Sequence, residues 1–264
     1  MKPVVCAIGT TEPWGAAGLG LDLRALIELG AQPVFAVAAV SAQDAGGVRA
    51  LYALPVAVLR AQLDALSAAP IAAFRIGALP TVEHAREVGA RLAAACVPSV
   101  YDPALAASGG GALTIGDAAT IGDAESSGCA AGLAWSLVPY VDIITPNLAE
   151  AELLLAQPVR DRVAMRAAAC ELHARGARAV LLKGGHLVGD SLDVLCDANG
   201  LREFSAPRLA GELRGTGCLL ADALAVGLAR GEPLFEVVTA AREYVRRKIE
   251  AGVTLGGMRL ANGG

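Results

Sequence analysis

Close to the end of the chain the sequence runs Arg214-Gly215-Thr216-Gly217-Cys218 and passes directly into the small-residue helical pattern Leu219–Ala229. Two glycines flank a threonine where a helix begins. Free backbone N–H groups and the positive end of the helix dipole then point at one spot. Such a spot binds anions, phosphate above all. A cysteine there, Cys218, would have its thiolate stabilised by the same field. A phosphate cradle with a base-grade side chain at its edge suggests phosphoryl transfer.

Other polar residues follow apolar runs that read as strands. Pro3–Gly9 leads into Gly9-Thr10-Thr11-Glu12-Pro13-Trp14-Gly15-Ala16-Ala17-Gly18, and Pro33–Val40 leads into Ser41-Ala42-Gln43-Asp44. Further on come Asp102-Pro103, Thr145-Pro146-Asn147 with Glu150 one helical turn later, and Lys183-Gly184-Gly185-His186. Open parallel sheets bind ligands beyond the C-terminal ends of their strands, so these residues share one rim. Each has a plainer reading. Asn147 and Glu150 fit a capping box, Lys183 a surface position, and Asp102-Pro103 a turn. The segment Gly15–Gly18 lacks the strict G-x-G-x-x-G spacing, and no Gly-Lys-Ser/Thr occurs, which argues against a P-loop NTPase.

The elements that must position these residues alternate between strand and helix. Strand patterns cover Pro3–Gly9, Pro33–Val40, Ile71–Gly77, Val97–Asp102, Val141–Thr145 and Ala179–Lys183. Helical patterns cover Leu19–Gly30, Val56–Ala68, Val82–Ala95, Ala149–Leu155, Val163–Arg175, Leu219–Arg230 and Leu234–Glu250. Leu192–Asp197 and Leu201–Ser205 surround Ala198-Asn199-Gly200, where the Asn-Gly pair marks a hairpin and an antiparallel edge. The alternation predicts an α/β fold: a three-layer α/β/α sandwich on a mostly parallel sheet, in one domain over 1–264. Residues 106–128, rich in Gly, Ser, Ala and Asp, read either as a mobile flap or as a featureless insertion.

Composition narrows the class. Hydrophobic residues make up 55% of 264 and aromatics only 4%, so the core must be Ala, Leu and Val. A net charge of -4 argues against nucleic acid as a partner. The basic run Arg242–Lys248 reads as a solvated helix face. Six scattered cysteines without a C-x-x-C pair support neither a disulfide framework nor a zinc site, and Cys6, Cys96, Cys170 and Cys196 read as buried packing residues. No membrane span or signal-peptide pattern is present, which fits a cytoplasmic protein.

Taken in order, Thr145-Pro146-Asn147-Leu148-Ala149-Glu150, Leu182-Lys183-Gly184-Gly185-His186 and Gly215-Thr216-Gly217-Cys218 resemble the hydroxymethylpyrimidine and phosphomethylpyrimidine kinases of thiamine biosynthesis, within the ribokinase superfamily. The resemblance runs from the first strand to the last helix. It implies ATP and Mg²⁺ as cofactors, a homodimer, and phosphorylation of 4-amino-5-hydroxymethyl-2-methylpyrimidine and then its monophosphate. Gly215, Thr216 and Gly217 would form the anion hole, with Cys218 at the place of the base. Lys183 and Thr216 would meet the ATP phosphates. Asn147 and Glu150 would organise Mg²⁺ with help from Asp102. Asp22 and Gln43 match positions that read the pyrimidine, with Thr10 and Trp14 beside them.

Departures collect at the substrate end. Thr10 replaces a glycine and Trp14 a serine, Ala78 stands where a methionine is usual, and Leu213-Arg214 replaces Thr-His. Trp14 would stack on a substrate ring or fill the pocket. A pyridoxal-type kinase and a catalytically weakened binding paralogue are the alternatives that these changes leave open.

Overall fold

The computed structural model describes residues 1–105, 113, 126–185, 187 and 189–262, the side chains of 126–129 excepted. The chain begins with β1 (Val4–Thr11), α1 (Gly18–Glu28), β2 (Gln32–Asp44), β3 (Gly47–Ala53), α2 (Val56–Ala65), β4 (Ile71–Ile76), α3 (Val82–Ala95) and β5 (Ser99–Tyr101). After α4 (Ser126–Leu137) come β6 (Ile143–Ile144), α5 (Leu148–Leu155), α6 (Arg162–Ala174), β7 (Ala179–Lys183), β8 (Ser191–Asp197) and β9 (Gly200–Ala206). The helices α7 (Thr216–Ala229) and α8 (Leu234–Glu250) precede a short hairpin, β10 (Val253–Leu255) and β11 (Met258–Leu260).

Among the described residues, nine strands form one sheet in the order β3-β2-β1-β4-β5-β6-β7-β8-β9. The strands from β2 to β7 run parallel, while β3, β8 and β9 are antiparallel. Alternation in β1 shows the layering. Cys6 and Ile8 point into a core shared with α2 to α6, and Val5 and Ala7 into one shared with α1, α7 and α8. A strand covered on both faces needs an unbroken apolar run, which Val4–Ile8 supplies. Small residues let the layers close up. Helix α7 is buried continuously from Leu219 to Gly227, and a β-carbon on Gly227 would stand only 2.8 Å from the Val237 methyls of α8.

The expected sandwich and the β8–β9 hairpin are present, but three elements were not anticipated. Strand β3 returns from β2 through Ala45-Gly46 and makes a second antiparallel edge. Val48, Leu51 and Ala53 in it are only half-buried and Arg49, Ala50 and Tyr52 exposed, so it has no buried face to mark it. The β10–β11 strands are three residues each, too short for a pattern. Helix α4 begins inside the segment expected to be loop; the flap reading for 106–125 lies outside the described residues, Leu113 excepted. Two packing assignments also change. Cys96 and Cys170 are exposed, and the basic face of α8 is not simply solvated. Arg242 donates to Asp193 at 2.7 Å, and buried Lys248 pairs with Glu28 at 2.5 Å.

The strand order reverses direction between β1 and β4, since β1 leads outward to β2 while β4 lies on its other side. That switch opens a crevice at the C-terminal strand ends. Thr10, at the end of β1, spans it by donating to the Ala78 carbonyl at 3.3 Å.

Candidate active site

Helix α7 starts where the sequence places it. Gly215 is its N-cap, with φ +79°, a left-handed conformation that glycine adopts freely. A β-carbon there would collide with Leu21 and the Ala16 carbonyl. The first helical bond is from the Leu219 N–H to the Gly215 carbonyl, 2.9 Å. The N–H groups of Thr216, Gly217 and Cys218 precede that bond and form the open mouth of the helix.

Two strand ends face this mouth. Lys183, the last residue of β7, donates to Asp102 just beyond β5 at 2.7 Å, and the Thr145 hydroxyl donates to the same oxygen at 3.1 Å. Gly217 approaches so closely that a β-carbon on it would lie 3.1 Å from the Lys183 ammonium and 3.2 Å from Asp102. Cradle, cation and carboxylate thus converge on one volume. Burial opposes ionisation of Asp102, but Lys183, Arg75 and the Thr145 hydroxyl outweigh it and hold its carboxyl below the usual carboxylate range.

The capping box at the start of α5 is real. Asn147 Oδ1 accepts from the Glu150 N–H at 2.9 Å, and Glu150 Oε2 accepts from the Asn147 N–H at 2.8 Å. The same carboxylate receives the Leu105 N–H at 3.4 Å. Burial raises the Glu150 carboxyl above its usual range; Lys183 works against that rise and Asp102 adds to it. Glu150 therefore both caps α5 and shares the electrostatic field of Lys183 and Asp102. Among the described residues no group of three or more acidic, His or Cys side chains is placed to hold a metal unaided. The carboxylates of Asp102 and Glu150, which share the field of Lys183, are of a kind that fits Mg²⁺, an ion that keeps several waters and takes further oxygens from phosphates.

Beneath the cradle lies a charge cluster that was not anticipated. Arg75 of β4 is 1% exposed and meets Asp22 of α1 at 3.3 Å, Asp222 of α7 at 3.4 Å and Asp102 at 3.9 Å. Its guanidinium tucks under Gly77, where no β-carbon would fit. Asp22 and Asp222 are both 0% exposed. Burial pushes the Asp22 carboxyl up to about 6 against the pull of Arg75, and burial beside Asp22 drives Asp222 well above the carboxylate range. The sequence signal was available: a lone Arg in the apolar run Ile71–Ile76 and a lone Asp in a small-residue helix must find partners if they are buried.

This cluster corrects two expectations. Asp22, expected to read a substrate ring, is instead wholly buried and paired with Arg75. The helix field does not leave Cys218 an easily formed thiolate either. Burial pushes its thiol up to about 12; Arg75 pulls the other way, but Asp22, Asp102 and Asp222 add to the rise.

At the other end of the crevice, Gln43 is nearly buried near the end of β2, and its amide donates to Ser41 Oγ at 2.8 Å. Glu12 accepts the N–H groups of Trp14 at 2.7 Å and Ala17 at 2.9 Å, and that of Ala16 between them, which shapes the β1–α1 loop. The Trp14 ring lies against Gly256 in the β10–β11 turn. The cradle, Lys183, Asp102 and Glu150 are therefore assembled in one place, with Thr10, Gln43 and Trp14 around the approach from β1 and β2.

The Phosphomethylpyrimidine kinase family model matches residues 12–261. The chain belongs to that family. It is 35% identical over 257 residues to a hydroxymethylpyrimidine/phosphomethylpyrimidine kinase of Streptomyces coelicolor, covering 97% of this chain and 91% of that one. Its fold matches the crystal structure of a phosphomethylpyrimidine kinase from Clostridium difficile with a TM-score of 0.78 at 26% identity, over 93% of this chain and 99% of the other. A Staphylococcus aureus pyridoxal kinase in complex with pyridoxal superposes with a TM-score of 0.87 over 100% of this chain and 94% of that one, but at 24% identity. That likeness is one of fold. Kinase membership makes ATP the phosphate donor and a small molecule the acceptor. No helix among the described residues is long and apolar enough to cross a membrane.

Proposed function

We propose that this chain phosphorylates 4-amino-5-hydroxymethyl-2-methylpyrimidine, and then its monophosphate, with ATP and Mg²⁺. The observation that carries the reading is the convergence of the α7 mouth on the Lys183–Asp102 pair, so close at Gly217 that a β-carbon there would lie 3.1 Å from the Lys183 ammonium. Phosphoryl transfer asks for position and charge neutralisation more than for covalent chemistry. The N–H groups at the start of α7 bind the transferred group as charge builds on its oxygens, and Lys183 adds a cation. Asp102 and Glu150 would hold Mg²⁺, which supplies further positive charge at the phosphates. The Cys218 thiolate, scarce at neutral pH, accepts the proton of the attacking hydroxyl, and burial makes the thiol so formed hold that proton firmly. Gln43 reads the pyrimidine edge, and Thr10 and Trp14 wall the approach.

The chain works as a cytoplasmic homodimer in this reading. Val40 and Tyr52, paired across β2 and β3, are 48% and 66% exposed at the sheet edge and offer an apolar patch for a second copy. The test of the function is ADP release with hydroxymethylpyrimidine, its monophosphate and pyridoxal as competing acceptors. Turnover on the two pyrimidines supports the reading; turnover on pyridoxal alone overturns it.

A further inference from the structure

Arg214 immediately precedes the cradle, yet its side chain reaches toward the substrate end. Its guanidinium donates to Gln43 Oε1 at 3.4 Å and to the Asp44 carbonyl at 2.6 Å, and it meets the Met258 sulfur at 3.0 Å. Its own N–H donates to the Arg259 carbonyl at 3.0 Å. Gln43 Nε2 donates in turn to Ser41 Oγ at 2.8 Å, and that hydroxyl donates to the Thr11 carbonyl at 2.9 Å.

Both ends of this relay have a fixed sense. A guanidinium only donates, and a backbone carbonyl only accepts. Each link between them is therefore directed, and the Gln43 amide cannot turn over without setting its NH₂ against the guanidinium. One N–H and one oxygen lone pair are left on that amide, in a fixed order. The wall behind it is fixed by the same arginine, because Met258 packs with Ala16 and Leu260 and so seats the β10–β11 hairpin on the β1–α1 loop.

We propose that Arg214 is the positioning residue that sets substrate specificity, locking the Gln43 amide so that the pocket selects a flat heteroaromatic edge with a ring-nitrogen acceptor beside an exocyclic N–H donor. The inference rests on the reading of Gln43 as the residue that meets the ring. An edge without the amino donor, as in pyridoxal, leaves the fixed oxygen unpaired and binds less well.

The test compares the full chain with Arg214→Ala, Arg214→Lys, Gln43→Ala and the double Arg214/Gln43 alanine variant, using hydroxymethylpyrimidine and pyridoxal as acceptors at saturating ATP. Each of the two single losses in the relay should raise KM for hydroxymethylpyrimidine about tenfold, the scale of one lost hydrogen bond, with KM for ATP unchanged. The double variant should be no worse than the poorer single one, since the two residues act as a unit. Preference for hydroxymethylpyrimidine over pyridoxal should fall in Arg214→Ala and return in part in Arg214→Lys. Additive losses, or a rise in KM for both ATP and acceptor in Arg214→Ala, or no recovery of preference in Arg214→Lys, would assign Arg214 to holding the hairpin and overturn the inference. A silent Gln43→Ala overturns it through Gln43. No turnover of either pyrimidine by the unaltered chain overturns the substrate reading itself, and this inference with it.

Discussion

Gly217 and Cys218 are adjacent in α7 and carry different tests. Replacing Gly217 by alanine favours the helix by roughly 0.5–1 kcal/mol. The added methyl would intrude on Lys183 and Asp102 at 3.1 and 3.2 Å. Gly217→Ala should therefore lose turnover while its melting temperature holds or rises, a split that a purely structural glycine would not give. Cys218→Ala should cut kcat by roughly 10²–10⁴, the usual scale for a general base. Because burial among three acids raises the thiol to about 12, the thiolate is scarce at neutral pH and grows with each unit of alkalinity. The rate should still be climbing at pH 9 in the unaltered chain and be flat there in Cys218→Ala. A plateau near pH 7 in the unaltered chain would remove Cys218 as the base. At this scale the cradle was legible because Gly-Thr-Gly-Cys before a helix has a local meaning. The raised thiol was not, because it comes first from burial and then from Asp22 and Asp102, which other elements bring near, with only Asp222 on the same helix.

Among the elements, the ends of β4, β5 and β7 and the start of α7 are held by charge as well as by apolar packing. Arg75 ties β4 to α1, α7 and the end of β5 from within the core. Arg75→Met should destabilise the fold by about 3–5 kcal/mol, because it leaves buried carboxyls without their cation. Denaturant unfolding measures this directly, and a change below about 1 kcal/mol would show that the acids are satisfied without it. Long elements with a buried face, such as α3 and α8, could be bounded from their periodicity alone. Strand β3 and the β10–β11 hairpin could not, since exposed or three-residue strands carry little pattern. That hairpin matters to the site because Gly256 backs Trp14 and Met258 meets Arg214. The surroundings of Trp14 and Arg214 are therefore built from the part of the chain where sequence periodicity says least.

In the whole molecule, two apolar cores cover the two faces of the sheet, and the strand order switches between β1 and β4. The Val40–Tyr52 edge patch predicts a dimer by light scattering, and Tyr52→Asp should shift it to monomer without loss of secondary structure. The central claim is a kinase whose cradle transfers phosphate to a hydroxymethylpyrimidine. Its most direct test is ADP release by the purified chain, with and without Mg²⁺, in the presence of hydroxymethylpyrimidine, its monophosphate or pyridoxal. The structure predicts Mg²⁺-dependent turnover on both pyrimidines, lost in Gly217→Ala. Pyrimidine binding by calorimetry without ADP release in excess Mg²⁺, or turnover confined to pyridoxal, would contradict it.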